Sequence, residues 1–145
     1  MERSRAEIET LLARHGATEF ASGWSGSVAA LGFVIGSRAI RFELPLPDRH
    51  DREFTHTPSR GHRRQGYAAE KAWEQACRSR WRALLLVIKA KLEAVEVGIS
   101  SIEKEFLAWT VLPGGQTVHQ QLGSQIQHAI EHNEPPRLLI AGGGA

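Results

Sequence analysis

Apolar residues recur at steps of three and four through residues 67–99, and this stripe constrains the fold more than any other feature. Trp73, Cys77, Trp81, Leu84, Leu85, Ile88, Leu92, Val95 and Ile99 lie on it, at the period of an α-helix. Ala68, Ala69, Ala72, Ala76, Ala83, Ala90 and Ala94 fill the remaining positions with good helix formers, and no proline interrupts them. Gly66 precedes the stripe, while Gly98, Ser100 and Ser101 supply its stop signal. At 1.5 Å per residue such a helix is roughly 45–50 Å long, as long as a small domain is wide. Everything else has to be laid against it.

Upstream, residues 2–15 read as a first helix with Ile8, Leu11 and Leu12 on its apolar face and Gly16 where a terminating glycine belongs. Residues 17–23 read as a connection. Residues 24–46 read as a β-hairpin turning at Gly36-Ser37. That turn sets Phe33 opposite Ile40, Leu31 opposite Phe42 and Ala29 opposite Leu44. All six share one face, with Gly32, Arg41, Ala30 and Glu43 on the other, so the apolar face is expected to lie on the long helix. Pro45 and Pro47 end the second strand. Residues 48–66 show no period and carry Arg60-Gly61-His62-Arg63-Arg64, which predicts a mobile basic loop. Downstream, the pattern predicts a short helix from Ser101 to about Ala108. A tight turn at Pro113-Gly114-Gly115 between two short strands follows, then a helix over 118–132 through Leu122, Ile126 and Ile130, capped at Asn133. Pro135-Pro136 stops that helix, and Leu138, Leu139 and Ile140 offer an apolar patch before a frayed tail at 136–145. The expected fold is therefore α+β: one domain over 1–145, an N-terminal helix, an antiparallel hairpin on a long central helix, and short C-terminal helices.

The longest apolar run, residues 83–88, is too short for a membrane span. The charged start, Met1-Glu2-Arg3-Ser4-Arg5, has no apolar core of a secretory signal. Cys77 is the single cysteine and reads as a small buried hydrophobe. Together these lead to the expectation of a cytoplasmic protein without membrane contact. Net charge is +2, unevenly spread. Residues 1–48 carry five basic and six acidic groups, −1; residues 49–92 carry eleven and four, +7; residues 93–145 carry two and six, −4. A basic middle fits an anionic partner.

No acid, base, nucleophile and metal set converges in the sequence, so neither an enzyme nor a cofactor is expected. His128-Ala129-Ile130-Glu131-His132 matches H-x-x-E-H on a helix, yet Glu134, beside the diproline, is the sole candidate for a third ligand. No metal site is expected there. The cluster His50-Asp51-Arg52-Glu53 with His56 mixes candidate ligands with arginines and reads as a solvated loop. The basic groups carry more. Lys71, Arg78, Arg82 and Lys89 form a stripe beside the apolar one, and Arg60, Arg63 and Arg64 lie just upstream. A lysine/arginine track is the footprint of phosphate-backbone contact. Long basic side chains also flank apolar stripes simply to cover them. Glu74 and Glu93 stand four residues from Arg78 and Lys89, where they would neutralise part of the track. Trp73 and Trp81 read as packing residues. Trp24 and Trp109 stand near element ends and read as half-buried structural residues, with stacking on single-stranded bases the alternative if their indoles are exposed. Leu86 projects opposite the 84–88 stripe and makes the helix apolar nearly all round, which points to a homodimer through this belt.

Several stretches resemble a family of small phage and prophage proteins. They are Leu11-Leu12 with His15-Gly16-Ala17, Ile40-Arg41-Phe42-Glu43-Leu44-Pro45-Leu46-Pro47, Glu105-Phe106-Leu107-Ala108, and Val111-Leu112-Pro113-Gly114. The longest is Arg80-Trp81-Arg82-Ala83-Leu84-Leu85-Leu86-Val87-Ile88-Lys89-Ala90-Lys91-Leu92-Glu93-Ala94-Val95-Glu96. The resemblance implies action inside a bacterial host and supplies no catalytic residues. Two functions fit. The first is a nucleic-acid-binding accessory that takes single-stranded DNA or RNA weakly, with little sequence preference, through Arg60, Arg63, Arg64, Arg78, Arg82 and Lys89. The second is an interaction module that inhibits or modulates a host enzyme or defence complex.

Overall fold

The computed structural model describes residues 2–137. Its fold is α+β, and the long helix is its axis. Helix α1 (Glu2–Arg14) leads into strands β1 (Ala17–Ser25), β2 (Val28–Ile35) and β3 (Arg38–Pro45). A single-turn helix α2 (Arg52–Thr55), the long α3 (Gly66–Glu96), the short α4 (Ile102–Glu105), a 3₁₀ turn (Leu107–Trp109) and α5 (Val118–His132) follow. At its 31 residues α3 is about 46 Å long.

The hairpin register is the one that the alternation dictates. Phe33 faces Ile40, Leu31 faces Phe42, Ala29 faces Leu44, and Arg41 and Glu43 fall on the other side. Residues 17–23, expected as a connection, instead begin a third strand: β1 pairs antiparallel with β2 to give a sheet in the order β1-β2-β3. Its alternation is weak because the inward positions are Phe20, Ser22 and Trp24, and a register shift between Ala17 and Glu19 breaks the period. Both hairpins turn on a Gly-Ser pair, Gly26-Ser27 and Gly36-Ser37. The glycine takes positive φ (61° and 60°) and neither serine does. Glycine alone at the first central position is the pattern of the type II′ turn, whose twist matches that of antiparallel strands.

The core forms where the sheet meets α1 and α3. Ile8 and Leu12 come from α1, Ala29, Leu31, Phe33, Ile35, Ile40 and Phe42 from the sheet, and Trp81, Leu84, Leu85, Ile88 and Leu92 from α3. Phe106 sits fully buried at its end, edge-on to Phe33 (5.7 Å between centroids, 85°) and to Phe42 (6.1 Å, 82°). The α3 stripe ends sooner than its sequence suggests. Val95 is half-buried and Ile99 is 80% exposed. Gly98, with φ 85°, lets the amides of Ile99 and Ser100 turn back to the Ala94 carbonyl, so Ile99 is already past the helix.

The segment expected as an aperiodic loop has internal order. Phe54 of α2 is buried, His56 and Arg63 pair as a bridge, and the Arg64 amide donates to the Thr55 carbonyl at 2.7 Å. The turn at Pro113-Gly114-Gly115 is closed by the Leu112 amide on the Gln116 carbonyl. Its flanks make isolated bridges in place of the two short strands expected: Thr110 pairs with Ile40, and Val111 with Thr117. The last helix spans the residues its pattern indicates. Thr117 and Gln120 form a capping box at its start, and Asn133 ends it in the left-handed conformation. Its apolar stripe is only partly covered: Ala129 is buried, whereas Ile126 and Ile130 are 44% and 68% exposed. The apolar patch at Leu138, Leu139 and Ile140, and most of the expected tail, lie outside the described residues. No helix among the described residues is long and apolar enough to cross a membrane.

Candidate functional site

The six basic residues of the sequence reading fall in different places. Arg82 and Lys89, seven residues apart on α3, line one groove between α1 and α3, together with Arg3 and Arg14 of α1. The groove encloses about 560 Å³, and Leu11, Leu85 and Leu86 form its floor. Arg3 ion-pairs with Glu7 at 3.6 Å along α1. Arg14, Arg82 and Lys89 have no ion-pair partner among the described residues, so the expected neutralisation of Lys89 by Glu93 does not form. Arg78 is exposed one turn before Arg82. It turns to Gln75, donating through Nε and Nη2 at 3.1 and 2.8 Å, and not to Glu74.

The loop arginines form a separate group. Arg60 and Arg63 are exposed. Arg64 is half-buried, and its Nη1 donates to the carbonyls of Phe54 (3.1 Å) and Glu53 (3.4 Å), so much of its donor capacity holds the loop together. The loop joins α3 at Gly66, about 24 Å of helix rise from Arg82. The structure thus brings Arg82 and Lys89 together and leaves Arg60, Arg63 and Arg64 apart from them. Arg3 and Arg14 do not stand out in the sequence, because the apolar face of α1 dominates its pattern. Their spacing of eleven, three helical turns, places them on one face and is visible in the sequence.

The tryptophans gather where sequence reasoning treated them singly. Trp24, Trp73 and Trp81 line one pocket of about 470 Å³, closed by Ala29, Leu46 and Pro47 and rimmed by Glu2, Arg5, Asp48 and Arg49. Trp81 is buried, as a packing residue should be, whereas Trp24 is 77% exposed. Trp73 is half-buried and donates its indole N–H to the Pro47 carbonyl at 2.7 Å. The Arg49 guanidinium covers its ring at 4.2 Å and meets Glu70 at 3.4 Å. Arg5 bridges α1 to the sheet through Ser22 (3.2 Å) and pairs with Glu2. Trp24 reaches the pocket only because β1 is a strand: its partner Ala29 sets it on the inward face, at the sheet's end. Trp109 packs on Phe42 at 4.8 Å and belongs to the core margin.

The His128 and His132 rings stack face to face at 3.9 Å, and His132 Nδ1 lies 2.9 Å from the His128 carbonyl oxygen. No cluster of three or more histidine, cysteine or carboxylate side chains able to hold a metal ion gathers among the described residues. Cys77 is buried and unpaired, and burial pushes its thiol pKa up. His56 is held below the ordinary histidine value, by desolvation first and then by the Arg52 and Arg63 guanidiniums.

In comparisons with known proteins, no family model, curated protein or solved structure matches the chain.

Proposed function

We propose that the chain is a phage-derived nucleic-acid-binding accessory that holds single-stranded DNA or RNA weakly, and with little sequence preference, in the α1/α3 groove. The observation that supports this is the convergence of Arg3, Arg14, Arg82 and Lys89 on one groove with an apolar floor. Cations along a channel track a phosphate backbone, and an apolar floor tolerates any base because it reads no edge. Arg78, one turn along α3, extends the track, and the loop arginines Arg60 and Arg63 lie outside it. The test is fluorescence anisotropy with a labelled single strand. Binding at low salt that weakens with Arg14→Ala and Arg82→Ala for all sequences alike supports the reading. No binding at low salt with tens of micromolar protein, on the order of the weak limit for non-specific contact, would sink it.

A second reading rests on Leu86 and Val87, 54% and 45% exposed on α3. Leu84, Leu85 and Ile88, the rest of the expected belt, are consumed by the chain's own core. Leu86 is part of the groove floor and Val87 follows it on α3, and their exposure supports docking of a protein partner, either a second copy in a homodimer or a host enzyme or defence complex inside the bacterial cytoplasm. Light scattering separates the first from the second, since a 16.0 kDa particle at high concentration excludes the homodimer.

A further inference from the structure

We propose that the tryptophan pocket beside α1, distinct from the groove, is a binding site for a nucleobase carrying a phosphate. Its volume of about 470 Å³ lies within the range of small-molecule sites, and such sites join apolar walls to a few placed polar groups. The walls here are indoles. Two are fixed by the fold: Trp81 by burial, and Trp73 by its bond to Pro47 and the guanidinium over its ring. The third, Trp24, keeps most of its surface in water at the pocket mouth, where it offers a π-face to a flat ring.

The rim selects among flat ligands. Arg5 and Arg49 only donate hydrogen bonds, and Glu2 and Asp48 only accept them. Arg49 meets Glu70 through Nη1, which leaves Nη2 and Nε for another acceptor. A purely apolar ligand would desolvate these charged groups without replacing their hydrogen bonds. A cation, the other usual guest of indoles, would answer the two carboxylates and leave the two guanidiniums without an acceptor. A nucleotide supplies each need: a ring for Trp24, a phosphate for the arginines, and amine or hydroxyl donors for the carboxylates. Its source is either a free mononucleotide or the phosphorylated end of a strand.

The test is titration of the full chain with adenosine 5′-monophosphate, followed by tryptophan emission and by calorimetry. A mononucleotide offers the groove one phosphate alone, so strong saturable binding reports the pocket. The expected result is saturable quenching whose midpoint rises roughly 5- to 150-fold in Trp24→Ala, the worth of one stacked base. Trp24→Phe, which keeps a π-face, restores most of it, and ribose 5-phosphate at equal concentration does not bind. Because Trp24 is exposed, its replacement leaves the core intact, which circular dichroism verifies. The proposal is overturned by the absence of saturable binding, by equal affinity in Trp24→Ala, or by equal binding of ribose 5-phosphate. Competition by a 5′-phosphorylated oligonucleotide identifies the strand end as the source. Lack of competition identifies the free nucleotide, and both uphold the pocket.

Discussion

Cys77 and His56 show how position along one chain sets reactivity. The Cys77 thiol lies on the buried stripe of α3, and burial raises its pKa against the opposing pull of Arg49 and Arg80. Thiolate is the reactive form. Cys77 is therefore expected to resist disulfide reagents in native buffer and to react fully in denaturant; rapid labelling of the folded protein would contradict this. The His56 imidazole is shifted the other way, below 6.5, by desolvation and by Arg52 and Arg63. The folded protein then binds this proton less readily than the unfolded chain, so stability rises with pH through this group. Its contribution is complete above 6.5 and is lost as pH falls through 6.5 toward the lower folded value. An NMR titration should place the His56 midpoint below that of a free histidine, and Arg63→Ala should move it up.

Among the elements, those with a strict period were legible and those without it were not. The β2–β3 register follows from six alternating apolar residues, and α5 from its spacing and Asn133. Strand β1 is not legible because Ser22 interrupts its inward side and its first residues, Ala17 to Glu19, carry a register shift. The readable sign was Gly26-Ser27, the same pair that turns the next hairpin ten residues later. Gly36→Ala tests the turn. No atom lies within 4 Å of the Cβ it would add, so the cost is backbone strain at φ 60°, about 1–3 kcal/mol. It should appear as a lower urea midpoint with an unchanged slope. The groove is half legible: the α3 cations show in the sequence, but their pairing with Arg3 and Arg14 depends on α1 lying alongside α3. Leu86→Glu belongs here too. It should split any homodimer into 16.0 kDa particles with little loss of stability, since Leu86 is 54% exposed.

At the scale of the whole molecule, two groups of cations stand apart: Arg3, Arg14, Arg82 and Lys89 in the α1/α3 groove, and Arg60, Arg63 and Arg64 in the loop before α3. Strand binding through the groove should fall steeply with salt. The slope of log affinity against log salt is about −0.7 per contacted phosphate on a single strand, so four cations give roughly −3. Removing Arg14 and Arg82 together should reduce it by about 1.4, whereas Arg60→Ala with Arg63→Ala should leave it nearly unchanged. A larger effect from the loop pair would move the interface away from the groove. Helix α5 is attached more loosely than the other long elements. Among the described residues its backbone approaches one other element, the 3₁₀ turn, and the Gln120 side chain ties it to Arg41 and Glu43 of β3 across 79 and 77 positions of chain. The three strands, by contrast, are joined by two-residue turns, so their pairing is local and closes early in folding. The distant tie of α5 is expected to form late and to open without the rest. Backbone amides of α5 should accordingly exchange with deuterium through partial openings, while those at the centre of α3 wait for the whole molecule to unfold.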